Sequence, residues 1–242
     1  MPMPNEIRWS RFSAAFVADY VGFEKYRSAK LDEVLKRVGL YGMTERSWAF
    51  QSPFDHHWWR LFNRNKCMDR IGTFNCTMNH YAILRTALAR GLDHVLVMED
   101  DVRFIKDDLI LSEAIEALPS EFDFAKLEWY PAGCHDRMRK AAAECHGYWM
   151  DLHGFSTFGA GCTAYSRRGM EWKVSAIEKS LDFRCELRSI DCYDGFDLIP
   201  HEINAFVSVP HLALQGVPKG DRIHCAHKKY DPEIVKYEYD TD

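Results

Sequence analysis

Glu99-Asp100-Asp101 place three carboxylates in a row directly after four unbroken apolar residues, Val95-Leu96-Val97-Met98. A short continuous apolar run bounded by a turn signal, here Gly91, reads as a strand buried on both faces, as in a parallel sheet. Three acids cannot share that core, because an unpaired buried carboxylate is strongly unfavourable. They must emerge at the carboxyl edge of the strand, where open α/β sheets place their ligands. Side chains alternate along a strand, so Glu99 and Asp101 are expected on one side and Asp100 on the other. Two oxygen ligands two residues apart suit a hard divalent cation and the phosphates it carries. The plain alternative for any isolated acidic triplet is a solvated turn before a helix.

A second acidic group, Asp191, Asp194 and Asp197, stands on a turn before a helix-like stretch at 198–204 and holds more acids than one helix cap requires. A third chemistry-bearing stretch is the tail, where Lys219, Arg222, His224, His227 and Lys228 punctuate a Gly/Pro loop. Residues 47–65 interleave Trp48, Phe50, Phe54, Trp58, Trp59 and Phe62 with His56, His57, Arg60 and Arg64. Such a loop can stack rings on the apolar faces of sugars, and it can equally be a satellite core under a long loop. On a locally helical stretch Trp58 and Trp59 point about 100° apart, so one of the two is expected to face a ligand and the other to pack inward.

The elements that must position these groups alternate. Residues 13–21 read as a first strand, and 24–38 as a helix with Leu31, Val34, Leu35 and Val38 on one face, stopped by Gly39. Residues 71–90 read as a helix with His80, Ile83, Leu84, Ala87 and Leu88 on one face, stopped by Gly91. Asp107 or Asp108 caps a further helix carrying Leu111, Ala114, Ile115 and Leu118 and ended by Pro119. Strands are expected at 122–128, 158–165 and 205–209, and a helix capped by Ser166 from 167 to about 179. Residues 130–156, rich in Gly, His and charge, read as loop. The pattern is an α/β chain with a Rossmann-type sheet flanked by helices.

The composition narrows the classes. The 242 residues suit a single domain, with 1–130 as its ligand-binding first half and 131–242 as its second half and C-terminal loop. An apolar content of 47% suffices for a packed core, and a net charge of −5 gives no reason to expect nucleic acid. No apolar run approaches the ~18 residues of a membrane span, and residues 1–12 lack the basic start and apolar block of a signal peptide. The chain therefore reads as cytoplasmic. Peripheral membrane docking stays open, although no basic amphipathic helix stands out. The eight cysteines include no Cys-x-x-Cys pair and are expected to be free. The repeated pairs Cys134-His135 and Cys145-His146 match no standard zinc spacing.

Three blocks resemble glycosyltransferase family 25, the lipopolysaccharide-type and collagen-type galactosyl- and glucosyltransferases. The first is Gly72-x-x-x-Cys76-x-x-Asn79-His80 followed by Val97-Met98-Glu99-Asp100-Asp101-Val102. The second is Gly161-Cys162-Thr163-Ala164-Tyr165-Ser166-Arg167-Arg168-Gly169, and the third runs from Asp194 and Asp197 to Val209-Pro210 and Gln215-Gly216. Asn79 stands where the family has Ser. The first strand reads Ala18-Asp19-Tyr20, with Lys25 and Arg27 beyond, where the family has Asn-Leu and a basic pair.

The resemblance implies a GT-A-like Rossmann-type mixed sheet and an inverting transferase. It would move a hexose, galactose or glucose, from a UDP-sugar to a hydroxyl of a glycan or glycoconjugate. It implies Mn2+ or Mg2+ as cofactor, with Asp101 as direct ligand, Glu99 on a ribose hydroxyl or a metal water, and Asp100 towards a neighbouring loop. His224 and His227 are the imidazoles available to complete the metal shell. Lys219, Arg222 and Lys228 are the groups to grip the donor diphosphate, and Arg27 is a further donor-binding candidate. Inversion requires one carboxylate base, for which Asp194 and Asp197 are the candidates. His80 is expected to steady the acidic strand end, and Trp58 or Trp59 to meet the acceptor. Two other classes fit the same residues: a non-catalytic sugar- or nucleotide-binding module, and a metal-dependent phosphohydrolase.

Overall fold

The computed structural model describes residues 9–19, 24–48, 71–104, 106–131, 135–182, 190 and 199–215. Its centre is a seven-stranded mixed sheet. The chain enters through β1 (Ala14–Asp19), crosses by α1 (Glu24–Arg37) to β2 (Thr44–Trp48), and returns by α2 (Ile71–Ala89) to β3 (His94–Glu99). After β4 (Val102–Phe104) and α3 (Asp108–Glu116) come β5 (Phe124–Lys126), β6 (Tyr130–Pro131), α4 (His135–Glu144), β7 (Trp149–Asp151) and β8 (Thr157–Phe158). The last elements are β9 (Cys162–Ser166), α5 (Arg167–Asp182), β10 (Ala205–Ser208) and β11 (Ala213–Gln215). The strand order is β2-β1-β3-β9-β5-β10-β7. Strands β2, β1, β3, β5 and β10 run one way, and β9 and β7 run against them. Strand β3 thus has a parallel neighbour on one side and an antiparallel one on the other. Two small antiparallel ribbons, β4–β11 and β6–β8, lie outside the main sheet.

The period of two sorts the strand residues onto two faces. Ala15, Val17, Leu96, Met98, Ala125 and Leu127 pack with Leu31 and Leu35 of α1 and with Leu111, Ala114 and Ile115 of α3. Ala14, Phe16, Ala18, Val95, Val97 and Phe124 pack on the other side with Ile83, Leu84 and Ala87 of α2 and Met170 and Val174 of α5. The result is a three-layer α/β sandwich. Glu99 belongs by parity with Val95 and Val97, on the α2 side.

The punctuation predicted from sequence is present atom by atom. Gly39 (φ 76°) and Gly91 (φ 71°) each take the left-handed conformation just past a helix. In the first, the N–H groups of Gly39 and Leu40 donate back to Lys36 and Leu35; in the second, those of Gly91 and Leu92 donate to Leu88 and Ala87. Both are Schellman closures, which turn each helix sharply into the next strand. The Asp107 carboxylate accepts from the Ile110 N–H at 2.9 Å, capping α3. Ser166 Oγ accepts from the Gly169 N–H at 3.1 Å, capping α5. Gly169 has a second duty: a Cβ there would lie 1.8 Å from the Asp123 carbonyl oxygen. Only glycine lets α5 approach the start of β5 so closely.

Three expectations change. Residues 130–156 are not loop but contain β6, α4 and β7. Helix α4 is short and charged, and it is held by the buried Met138 with Ala141 and Ala142 beside it. Residues 158–165 are not one strand: β8 ends at Phe158, and β9 begins at Cys162 after Gly159, whose φ of 94° breaks the extended run. Residues 199–204 form turns rather than a helix before β10.

Candidate functional site

The carboxyl ends of β1, β3 and β5 share one edge, because these strands are parallel. Ala18 is in register with Glu99, so Asp19 lies beside the acidic segment. It is buried and held by Arg46 Nη1 at 2.9 Å, while the second guanidinium nitrogen reaches Asp32 at 2.5 Å. Arg46 thereby fills the position flanking the first strand end.

Strand β3 ends at Glu99, and Asp100-Asp101 form the turn into β4. Strand alternation therefore governs Glu99 but not the next two acids. Asp100 is buried, and Asp101 is half-buried. The Glu99 backbone N–H donates to the Gly161 carbonyl at 2.9 Å, which fixes where the strand stops. On the α2 side, the Cys76 thiol lies 3.2 Å from Glu99 Oε1, and His80 Nε2 lies 3.5 Å from the same oxygen. The expected place of His80, against the acidic strand end, matches this contact.

Sequence reading missed Glu128. It follows β5, it is fully buried, and it lies close enough to Glu99 and Asp101 to feel their charges. Burial pushes its carboxyl well above the ordinary range, and the neighbouring charges of Glu99 and Asp101 push it further. The Tyr130 hydroxyl and the Lys126 ammonium pull the other way without cancelling the rise. Among the described residues neither Glu128 oxygen has a hydrogen-bond partner of ordinary geometry. Its Lys126 neighbour is itself buried and donates to Thr157 Oγ1 at 3.3 Å. The same burial raises the Cys162 thiol, with Glu128 adding to it. The available signal was the apolar run Phe124-Ala125 leading through Lys126-Leu127 to a lone acid, a muted copy of the β3 pattern.

The geometry therefore brings Glu99, Asp101 and Glu128 into one negative field at the carboxyl edge. A carboxylate field of this kind attracts cations, and an ion bound there would in turn hold phosphate oxygens. Asp194, Asp197, Lys219, Arg222, Lys228, His224, His227, Trp58 and Trp59 lie outside the described residues, as does the side chain of Arg27 on α1. Of the paired Cys-His motifs, Cys134 lies outside the described residues and Cys145 is a free thiol. No described helix is long and apolar enough to cross a membrane.

No family model matches the chain. It is 40% identical over 58 residues to the human protein "Inactive glycosyltransferase 25 family member 3", a match covering 24% of this chain and 9% of that protein. The mouse protein of the same description is 31% identical over 121 residues, covering 50% of this chain and 17% of its own length. The chain thus spans less than a fifth of the curated relatives it matches. Among solved structures, a glycosyltransferase involved in glycosylation of the major capsid of PBCV-1 aligns with 79% of this chain and 80% of its own. The identity is 10% and the TM-score 0.43. Mannose-1-phosphate geranyltransferase from Thermus thermophilus aligns with 81% of this chain and 73% of its own, at 13% identity and a TM-score of 0.41. The chain carries an α/β fold with weak, local sequence similarity to glycosyltransferase 25 family proteins.

Proposed function

We propose that this chain is a nucleotide-sugar-dependent, inverting hexosyltransferase that moves galactose or glucose from a UDP-sugar to a hydroxyl of a glycan or glycoconjugate. The observation that carries the reading is the shared field of Glu99, Asp101 and Glu128 at the carboxyl edge of parallel strands. Open α/β sheets bind nucleotides at such an edge.

Mn2+ or Mg2+ fits this edge, because a buried carboxylate without well-formed hydrogen bonds and flanked by two more acids is relieved by a hard cation. Asp101 would hold the ion, which takes one or two protein carboxylates and completes its shell with substrate phosphates and water. Bound there, the cation would supply neutralisation of the charge that develops on the departing diphosphate. Glu99 keeps one oxygen for a ribose hydroxyl or a metal-bound water. Lys219, Arg222 and Lys228 are assigned to the diphosphate, Arg27 to the donor, and His224 and His227 to the remaining metal positions. Asp194 or Asp197 takes the proton from the acceptor hydroxyl as the new bond forms on the opposite face of the sugar. Trp58 or Trp59 carries the acceptor.

A second reading has its own support: both curated relatives are described as inactive. It makes the chain a binding module that holds a nucleotide sugar and leaves it intact. One experiment separates the two. The protein is incubated with a panel of nucleotide sugars, with and without Mn2+, and both products and bound ligand are followed by mass spectrometry. Metal-dependent release of nucleoside diphosphate from one donor supports the transferase. Binding without release supports the module, and neither binding nor release overturns both.

A further inference from the structure

We infer that Cys76, His80 and Glu99 form a binding site for one zinc-type divalent cation, separate in chemistry from the carboxylate field around Asp101. Cys76 and His80 are four residues apart on α2, so both project from one face of the helix. Glu99, the last residue of β3, meets them from the sheet. One ligand atom from each of the three lies within 4.8 Å of the others, and among the described residues no other trio of such side chains does so.

The distances suit the ion. Tetrahedral zinc with Zn–S of about 2.3 Å and Zn–N and Zn–O of about 2.0–2.1 Å requires ligand atoms roughly 3.3–3.6 Å apart. Cys76 Sγ to Glu99 Oε1 is 3.2 Å, and His80 Nε2 to the same oxygen is 3.5 Å. Hydrogen bonding alone leaves His80 unexplained. Its ring is fully buried, and neither nitrogen has a hydrogen-bond partner among the described residues. Buried side-chain nitrogens are nearly always satisfied. A cation accepting the Nε2 lone pair satisfies that one.

The donor set selects the metal class. One thiolate, one imidazole and one carboxylate suit zinc, because a soft thiolate favours zinc over Mg2+, Ca2+ or Mn2+. Binding replaces the thiol proton with the metal and releases it to solvent. Three protein ligands leave a fourth position for water or another group. The ion would pin α2 to the end of β3 and fix Glu99 through Oε1, leaving Oε2 as a separate acceptor. The site does not depend on the transferase reading, and its test needs no turnover.

The full chain, purified without a polyhistidine tag, is stripped with a chelator and titrated with Zn2+ against a chromophoric competitor; Co2+ is then substituted. One equivalent of tight zinc is expected, and the cobalt form is expected to show a thiolate-to-metal charge-transfer band. Cys76→Ser and His80→Gln should each weaken binding by more than the ~10–100-fold that loss of an outer partner costs. Cys76→Ser should also abolish the charge-transfer band. Cys145→Ser and Asp101→Asn, which leave the trio intact, should keep both zinc and band. Circular dichroism of Cys76→Ser separates lost ligation from lost fold. No stoichiometric zinc, or zinc retained by a folded Cys76→Ser protein, overturns the site.

Discussion

Strand β5 has a buried acid at each end, and the two are opposites. At its amino end Asp123 is saturated. Its carboxylate accepts from Ser166 Oγ at 3.1 Å, from Arg168 Nε at 2.7 Å and from the Asn204 N–H at 2.8 Å. Its own N–H donates to the Asn204 carbonyl, and its carbonyl accepts from the Ser166 N–H. At the carboxyl end Glu128 is equally buried, yet among the described residues its oxygens have no hydrogen-bond partner of ordinary geometry and its charged neighbours include Glu99 and Asp101. An acid filled by its own chain holds the fold together. An acid left unfilled burdens the fold and is a candidate for holding a ligand. On the proposed reading, one strand therefore carries a structural pole and a functional pole.

The widest separation should come from Asp101→Asn set beside Asp123→Ala. Loss of the Asp101 charge should lower donor turnover by about 10²-fold or more, since Lewis-acid stabilisation contributes several kcal/mol to a barrier and ~1.4 kcal/mol is tenfold. The melting temperature should stay close to that of the wild type. An Asp101→Asn protein with normal turnover would remove the functional pole.

Asp123→Ala should do the reverse. It leaves the buried Ser166 hydroxyl and Asn204 N–H without an acceptor, at about 1–3 kcal/mol for each group stranded. Denaturant unfolding should register the loss, while turnover per folded molecule holds. If specific activity collapses with stability intact, the structural pole has been misassigned.

The smallest effect has a defined sign. A carboxyl whose folded pKa is raised binds its proton more tightly in the folded state. Its contribution to stability is complete below the ordinary carboxyl value of 4.5 and is lost as pH rises through the folded value. Glu128→Gln removes that loss. It should raise the melting temperature by a few degrees at about pH 8, and the gain should vanish near pH 4. Divalent cation should reduce the gain by stabilising the wild type, which keeps all three acids, more than the variant. A variant less stable than wild type at the higher pH would mean that Glu128 is already neutralised by its own chain.

These poles were not equally legible in the sequence. Helices α1 and α2, strand β3, both Schellman glycines and the caps at Asp107 and Ser166 rest on local signals, namely period and terminal residue type, and sequence reading finds such signals. The face of Glu99 followed from parity. Glu128 did not, because its link to Glu99 runs through β9, which lies between β3 and β5 in the sheet but far from both in sequence. A single acid after a strand carries no mark until the strand order is known. Helix α4 escaped because its dense charge hides a narrow buried stripe. The saturation of Asp123 was invisible for the same reason as Glu128, since its partners at 166, 168 and 204 come from other elements.

The β4–β11 ribbon adds a matter of reach. Gln215 pairs with Val102, the residue next to Asp101. Every group after Gln215 is consequently leashed to the acidic edge by the chain itself. Lys219 is four residues further on, no more than about 14 Å of chain away. The ribbon thus converts an encounter between remote segments of sequence into a local one.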